Sequence, residues 1–289
     1  MVRLRESHGY LSVTDVPHVS ARARVAISIA LGASVALTPA AGPVAWAQGQ
    51  LGSHYTISMA GVPIGRIVWT VDLAEKQYTA TASGKASGVL SVLVNGEGTV
   101  VARGAIAERR FVPSTFVSAI SDEDGDGELR MRFENGAVSE LVAPVLPHHR
   151  VPVTASHRSG VSDPLSAVLI PEADGDPLAS ANCNRVLAIF DGRRRYDLAM
   201  TFKRVDKVKL TQGYAGLVLV CNVVLVPIAG HRADSVVVKY VAGRRDIEAW
   251  FAPIGDSGVI APVRVVVPTL IGTLEVAADQ FEAAMAPAR

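Results

Sequence analysis

Short segments in which apolar and polar residues alternate recur along most of the chain, separated by Gly, Pro, Asn or Asp. Tyr55, Ile57 and Met59, for example, alternate with hydroxyl side chains until Ala60-Gly61 offers a turn. Alternation with a period of two places successive side chains on opposite faces of a strand. The pattern therefore predicts an antiparallel β protein of ~11–14 strands.

The predicted strands share this alternation and are bounded by turn residues. They cover residues 55–59, 64–73, 78–87, 99–102, 114–120, 129–133, 138–142, 186–190, 193–202, 217–226, 236–241, 247–251, 263–267 and 274–277. Asn135-Gly136 and Asp191-Gly192 indicate tight hairpins, because these residue types tolerate positive φ. The strand around Cys221 is almost continuously apolar, which predicts burial on both of its faces.

Two segments depart from the strand pattern. Asp163-Pro164 predicts the start of a short helix, since Asp at the N-cap accepts hydrogen bonds from free backbone N–H groups and Pro at N1 loses none. Residues 88–94 gather apolar side chains and predict a second short helix or a bend. The expected fold class is mainly β: an antiparallel, curved open barrel or two packed sheets, with one or two short helices.

The N-terminal part has the pattern of a secretory signal peptide. Arg22 and Arg24 precede an apolar run of ~13 residues, and Ala45-Trp46-Ala47 then places small residues where a signal peptidase reads them. The run is shorter than the ~20 residues of a membrane-spanning helix. We predict cleavage after Ala47, with 1–47 as a signal peptide with a long n-region and 48–289 as a single periplasmic β domain. An uncleaved N-terminal anchor is the alternative, and a start of translation downstream of Met1 would explain the long n-region equally well.

Composition narrows the class of partner. The leader holds four arginines and two acidic residues, so the predicted exported part carries 24 basic and 25 acidic residues and a formal charge of about −1. This balance argues against a nucleic-acid binder, because such proteins normally show a basic excess. The hydrophobic fraction of 49% is enough for a substantial core. Its many valines, which are stiff at χ1, favour sheet.

The two cysteines, Cys183 and Cys221, both lie in the predicted exported part. In an oxidising compartment, an even count of two is most simply one disulfide, with two buried thiols as the alternative. Neither cysteine has a cysteine or histidine partner at ligand spacing, so no metal site is predicted at them.

Other polar clusters indicate no definite chemistry. The acidic stretch 121–128 (Asp122 to Glu128 at its core) matches the first half of a calcium loop, but the twelfth position is Phe133, where a bidentate carboxylate is needed. We interpret it as an exposed hairpin loop, with weak calcium binding as the alternative. His148 and His149 point to opposite faces of an extended chain and chelate one ion poorly. Hydrolase and phosphate-loop signatures are absent, so no catalytic residue, metal or cofactor is predicted.

Two surfaces within residues 185–209 are candidates for binding. Arg193, Arg194 and Arg195 belong to a basic cluster that suits anionic lipid headgroups, acidic glycans or a partner protein. A sheet edge protected from aggregation by charge is the alternative. The apolar side chains that alternate after this cluster predict an accessible ligand face: Tyr196, Leu198, Met200 and Phe202.

Several local strings, in order along the chain, carry a family resemblance. They are Tyr55-x-Ile57 with Gly61-x-Pro63-x-Gly65, Asp163-Pro164-Leu165-Ser166, Phe190-Asp191-Gly192-Arg193-Arg194-x-Tyr196-Asp197, Cys221, Trp250-Phe251, Pro262-Val263 and Gly272-Thr273. The chain from about Tyr55 to Phe281 thereby resembles the exported proteobacterial proteins grouped as domain of unknown function 3108. The resemblance implies an envelope location and a mainly β domain, and it implies no catalytic residues.

These observations together predict a non-enzymatic envelope protein, monomeric or weakly oligomeric, that holds a lipid or a lipidated partner in a concave sheet. The two short helices would cover the concavity. A structural or assembly role in the envelope is the main alternative. A hydrolase of envelope glycans is less favoured: it would need carboxylates such as Asp72, Glu97 or Glu128, and their spacing in the sequence selects no pair.

Overall fold

A computed structural model of the chain describes residues 49–86, 96–122, 125–144 and 150–285. The predicted leader, including Ala45 and Ala47, lies outside these residues, as do the predicted segment 88–94 and the histidine pair at 148–149. The described residues belong to one compact unit. None of the helices found in this part of the chain is both long and apolar enough to cross a membrane.

Fifteen strands form a single sheet in the described residues. They are β1 (Gly49–Met59), β2 (Val62–Leu73), β3 (Gln77–Ala86), β4 (Gly96–Ala107), β5 (Arg110–Asp122), β6 (Gly125–Glu134), β7 (Ala137–Val142), β8 (Ile170–Pro171), β9 (Arg185–Phe190), β10 (Arg195–Lys209), β11 (Gln212–Gly213), β12 (Ala215–Ala229), β13 (Ile247–Pro253), β14 (Val259–Thr269) and β15 (Gly272–Met285). Every pair is antiparallel except β11 with β15. The predicted mainly β, antiparallel fold is confirmed, as one sheet rather than two.

The order of strands places both ends of the domain in the middle of the sheet. It runs β7-β6-β5-β4-β3-β2-β1-β15-β14-β13-β12-β10-β9, with β8 on β14 and β11 on β15. The edge strands β7 and β9 do not pair with each other. The connection between them touches both instead, because Ser159 bridges Ala137 and Ser162 bridges Ile189. The sheet is therefore not closed, as in the open-barrel alternative.

The predicted turns form where residues with positive φ allow them. Ala60 and Gly61 have φ of 48° and 81°, and Asn135 and Gly136 have φ of 52° and 73°. Positive φ at both central residues matches the right-handed twist of the strands that these turns join. The β9–β10 hairpin also forms as predicted, with Gly192 at φ 88°.

Two α-helices complete the described elements. α1 (Pro164–Ala167) begins as predicted: Asp163 Oδ1 accepts hydrogen bonds from Leu165 N and Ser166 N at 3.0 and 2.9 Å. Ser166 Oγ in turn lies 2.6 Å from the hydroxyl of Tyr78, which fixes this single turn against β3.

The second helix corrects one prediction, since residues 236–241 are not a strand. They lie in α2 (Val236–Ala242). The valine run favours a strand locally, but Ser235 caps the helix by accepting from Val238 N, and Gly243 ends it by donating to the last carbonyls. These caps at both ends favour the helix over a strand, and α2 lies against β12 and β14.

Two clusters of buried side chains hold the fold. The large core collects apolar residues from most strands and from α1, including Leu51, Trp69, Phe116, Phe190 and Phe281. The second core lies around the Cys183–Cys221 disulfide and includes Leu219, Phe251 and Ile260. Val241 of α2 and Leu178 pack against it, so α2 and the segment before β9 both contribute to its cover.

Candidate functional site

The predicted disulfide is present. Cys183 and Cys221 are bonded, their Cα atoms are 5.5 Å apart and both residues are fully buried. Cys221 lies in the middle of β12, whereas Cys183 follows a short 3-10 turn, Ser180–Asn182. The bond therefore fastens an irregular segment onto a regular strand, and it has no contact with solvent.

The predicted apolar ligand face is covered only in part, since Met200 is buried, Tyr196 and Leu198 are half-buried and Phe202 is exposed. Its four side chains point to one face of β10, as expected, but Leu198 and Met200 pack into the second core, where Met200 is 4% exposed. Phe202, opposite Cys221, is 40% exposed at the margin of this core. Alternation alone predicted an apolar face correctly. It could not predict that a segment distant in sequence covers the part of that face around Met200, and ligand binding by the remaining part stays a prediction.

The three adjacent arginines do not form one free cationic surface. Arg195 is held in an ion pair with Asp197, and its side chain is only 12% exposed. The backbone N–H groups of Arg193 and Arg194 donate to Asp191 Oδ1, which stabilises the hairpin turn. Of the three, Arg194 alone is classed as exposed. The local role that the structure gives these residues is to shape the turn, and binding to an anionic partner remains a prediction.

The carboxylates considered for hydrolysis lie far apart. Asp72 is in register with Thr79 of β3, which is in register with Arg103 of β4. Glu97 lies six residues before Arg103 on β4, so Asp72 and Glu97 are separated by about 20 Å along the strands. Glu97 lies on β4 and Glu128 on β6, and β5 separates these two strands. The spacing of the strands alone therefore puts the two residues about 10 Å apart. Each of these two glutamates has its own basic partner, at 3.7 and 2.6 Å respectively. Retaining glycosidases need a carboxyl separation of about 5 Å, and inverting ones need about 6.5–9.5 Å.

No group of three or more His, Cys, Asp or Glu that could hold a metal occurs in the described part of the chain. The predicted acidic hairpin loop proves to be very short, because β5 extends to Asp122 and β6 begins at Gly125. Residues 126–128 of the acidic stretch are therefore in a strand rather than in a loop. The calcium alternative concerns side chains outside the described residues.

An apolar cavity of about 460 Å³ lies at the end of the sheet that carries the β1–β2 turn. Ile67, Ala82 and Val100 line it and also pack against the large core, so the cavity is on the core-facing side. The other lining residues are mostly apolar or small: Ile57, Ile64, Gly65, Arg66, Ser83, Gly84, Lys85, Ala86, Gly96, Glu97, Gly98 and Ile120. Its size falls within the ~300–1,000 Å³ range of small-molecule sites.

Two glycines create this space. Across the sheet, Ile67 lies opposite Gly84, Gly84 opposite Gly98, and Gly98 opposite Ile120. Residues in register share a face, so two isoleucines are separated by two positions that carry no side chain. A Cβ at Gly84 would have ordinary contacts of 3.5 Å, with Arg66 O and Ile67 Cγ1. Backbone therefore forms part of the cavity wall, and a larger side chain at Gly84 would project into the cavity.

Charged side chains lie on the opposite face at the same end of the sheet. Arg66 is exposed and stands opposite Lys85, which pairs with Glu97 at 3.7 Å. The same end of the sheet therefore carries an apolar cavity on its core-facing side and a mixed charged group of two cations and one carboxylate on its outer side.

A second charged group lies in the C-terminal half of the sheet. Glu248 accepts hydrogen bonds from Arg204, Lys203 and Trp250 Nε1, and the pKa of Glu248 is lowered to about 2, chiefly by Arg204. The guanidinium groups of Arg204 and Arg264 lie over the Trp250 ring, each 5.0 Å from its centroid. All these side chains have partners, so we assign the group to stability rather than to ligand binding.

A buried polar group anchors α1 inside the sheet. Asp163 is fully buried, and burial raises the pKa of its carboxyl despite the hydrogen bonds from Ser166 and Leu165. Burial likewise raises the pKa of the Tyr78 hydroxyl. Neither group reaches solvent or the apolar cavity lining, so their hydrogen bonds position the helix and perform no chemistry in the described site.

Sequence reasoning missed the cavity. A signal was present, because Gly84 lies within the predicted strand 78–87 and Gly98 comes just before the predicted strand 99–102. An isolated glycine in a strand often marks a site where another group approaches closely. The sequence does not show, however, that the two glycines are neighbours. Only the pairing of β3 with β4 aligns them.

Comparisons with known proteins identify a family and no activity. A family model described as "Protein of unknown function (DUF3108)" matches residues 54–279. The crystal structure of a β-barrel-like protein of the domain of unknown function DUF1849 from Brucella abortus is similar over 84% of this chain and 100% of that one, with 9% sequence identity and a TM-score of 0.47. No curated protein matches the chain.

Proposed function

This chain belongs to the DUF3108 family, and on the geometry of its core-facing cavity we propose that it is a non-enzymatic protein of the cell envelope that holds a lipid or another amphipathic ligand. The observation that carries the proposal is the 460 Å³ apolar cavity created by Gly84 and Gly98. Burial of apolar surface supplies about 25 cal/mol per Å², so a single acyl chain in such a cavity would bind appreciably.

The rim supports an amphipathic rather than a purely apolar ligand. Arg66 and Lys85 are exposed on the outer face at the end of the sheet where the cavity lies, and Lys85 pairs with Glu97. A carboxylate or phosphate headgroup that extends past this end of the sheet would meet Arg66 while its chain stays against the apolar wall. This charge arrangement favours fatty acids, anionic phospholipids or lipidated peptides over neutral sterols.

An envelope location is supported by two independent features. The N-terminal sequence has the pattern of a cleavable signal peptide. The Cys183–Cys221 disulfide is typical of proteins that fold in an oxidising compartment. Sequencing the N-terminus of the protein recovered from periplasm tests the first feature, with cleavage after Ala47 as the expected result and an intact leader as the contrary one.

The ligand proposal is tested by filling the cavity. Gly84→Leu should place an isobutyl group between Ile67 and Ile120, because a Cβ fits at this position. A fluorescent fatty acid should bind the wild type with micromolar affinity, and the variant should bind it at least about tenfold more weakly, the loss expected when one buried aliphatic group is displaced.

Gly52→Leu is the matched control. Gly52 is also a strand glycine with open space around it, but it lies on the other face of β1 from buried Leu51 and Ser53. Its variant should bind the probe like the wild type. Equal binding by both variants, or no saturable binding by the wild type, contradicts the proposal.

Native mass spectrometry of the protein isolated from periplasm gives a second measurement. A co-purified acyl species in the wild type, reduced in Gly84→Leu, supports the proposal. A clean apo protein that also fails to bind the probe favours the structural or assembly role instead.

A further inference from the structure

A second cavity, of about 260 Å³, lies between the turn of the β9–β10 hairpin, the end of β12 and the start of α2. Asp191, Arg194 and Tyr196 line it from the hairpin, Pro227 from β12 and Val238 from α2. The arginine cluster and the first residue of the predicted apolar face, which the sequence presents as two separate candidates, therefore meet at one place. We name this space the hairpin cavity.

One wall of the hairpin cavity is apolar. Leu225 and Pro227 contribute to it from β12. Val238 contributes from α2, three residues before Val241, which packs against the second core. Residues three apart lie on one side of a helix, so this side of α2 faces the sheet. Val237, by contrast, is 57% exposed and does not line the cavity. The wall therefore offers a preformed apolar surface.

Two polar groups of the lining residues lack partners. The Tyr196 hydroxyl makes no hydrogen bond within the described part of the chain. Burial raises the pKa of this hydroxyl, so it is a neutral group that can both donate and accept. His231 Nδ1 is buried and has no partner among the described residues, although Val151 N fixes the backbone of His231 by donating to its carbonyl at 2.9 Å. Buried polar atoms normally have a partner, so this wall has unused hydrogen-bonding capacity.

The charges of the lining residues cancel. Asp191 and Arg194 carry opposite charges, and Arg195 is paired with Asp197. A charged ligand would lose its hydration here without a net attraction in return, so the site favours an uncharged one. The volume lies just below the ~300–1,000 Å³ of most small-molecule sites, which limits the ligand to a compact body.

We propose that the hairpin cavity binds a compact, uncharged molecule that combines an apolar body with one hydroxyl or carbonyl group, such as a phenol or a cyclic alcohol. The apolar body would lie against Leu225, Pro227 and Val238, and the oxygen would bond to the Tyr196 hydroxyl. No residue lines both this cavity and the larger one, so the proposal does not depend on the lipid function.

Three probes of similar size test the class of ligand. They are p-cresol, toluene and p-toluate, which carry a hydroxyl, no polar group and a carboxylate on the same methylated ring. In saturation-transfer NMR titrations, the protein isolated after export should bind p-cresol with a Kd of about 1 mM or below. Toluene should bind roughly fivefold more weakly, because it lacks one hydrogen bond, and p-toluate should bind no better than toluene.

Two substitutions test the residues. Tyr196→Phe should lower the affinity for p-cresol to that for toluene and leave the affinity for toluene unchanged, because it removes only the hydroxyl. Val238→Phe should fill the cavity and weaken the binding of p-cresol and toluene at least about tenfold. Val237→Phe is the matched control, since it adds the same ring to the exposed side of α2, and it should bind both probes like the wild type.

Gly84→Leu separates this site from the larger cavity, because it should lose the fatty-acid probe and bind p-cresol normally. Circular dichroism checks that each variant is folded, and Tyr196→Phe, which keeps the shape of the cavity, decides the matter if Val238→Phe does not fold. The proposal is overturned by a wild type without saturable p-cresol binding, by equal losses in the two valine variants, or by unchanged p-cresol binding in Tyr196→Phe. Tighter binding of p-toluate than of p-cresol, or loss of p-cresol binding in Gly84→Leu, overturns it as well.

Discussion

Replacing Cys183 and Cys221 together by alanine removes the single covalent link between the segment before β9 and the centre of β12. The two residues are 38 apart in sequence. Closing a loop of that length lowers the entropy of the unfolded chain enough to stabilise the fold by ~4 kcal/mol. This is a large share of the ~5–15 kcal/mol that holds a typical domain together. Alanine at both positions avoids leaving a free thiol that could form other bonds.

The expected loss of stability can be measured as a fall in melting temperature. For a domain of this length, 1 kcal/mol corresponds to about 2–4 °C, so the double variant should melt roughly 8–16 °C below the wild type. Circular dichroism measures the transition. Wild type treated with reductant should approach the melting temperature of the variant, and the variant itself should not respond to reductant.

The effect should also be local. Asn182 donates to the carbonyls of Asp176 and Pro177 and accepts from Ala173 N, which makes the segment before Cys183 a compact loop held down by the disulfide. Hydrogen exchange in the variant should therefore rise first in residues 172–184. A melting temperature within ~2 °C of wild type, or two free thiols in the denatured, unreduced protein, would refute the reasoning.

Two further predictions concern stability. Gly230→Ala should lower the free energy of unfolding in urea by about 2–4 kcal/mol, because φ is +80° and the added Cβ would lie 1.9 Å from Arg193 O. The control Gly61→Ala, with φ +81° and nothing within 4 Å of the added Cβ, should lower it by only about 1 kcal/mol. Equal losses in the two variants would contradict this account. Arg204 lowers the pKa of Glu248 to about 2 in the folded protein. The stability that the ionised Glu248 contributes is therefore complete above its unfolded pKa of ~4.3 and is lost as the pH falls towards about 2. The difference in unfolding free energy between wild type and Glu248→Gln, about 1 kcal/mol at neutral pH, should accordingly shrink below pH ~4, and a constant difference would count against it.

Local chemistry determined most of the strands and turns. The alternation in β1 and the residues that tolerate positive φ at Ala60-Gly61 and Asn135-Gly136 needed no knowledge of the rest of the chain. The same holds for the start of α1, because the Asp163 cap satisfies N–H groups only two and three residues away. Such signals act over a few residues, so they are legible in the sequence.

Interactions between distant residues decided the remaining features. The valines of α2 favour a strand by themselves, yet they lie in a capped helix that contacts β12 and β14. The apolar alternation of β10 predicts an apolar face but not how much of it other residues cover, and here the segment joined by Cys183 covers the part around Met200.

The candidate site depended on register above all. Gly84 and Gly98 form one cavity wall only because β3 and β4 align them. The sequence determined which positions were small, apolar or charged. The tertiary structure decided which of them became neighbours, because strand pairing joins residues that no periodicity along the chain connects.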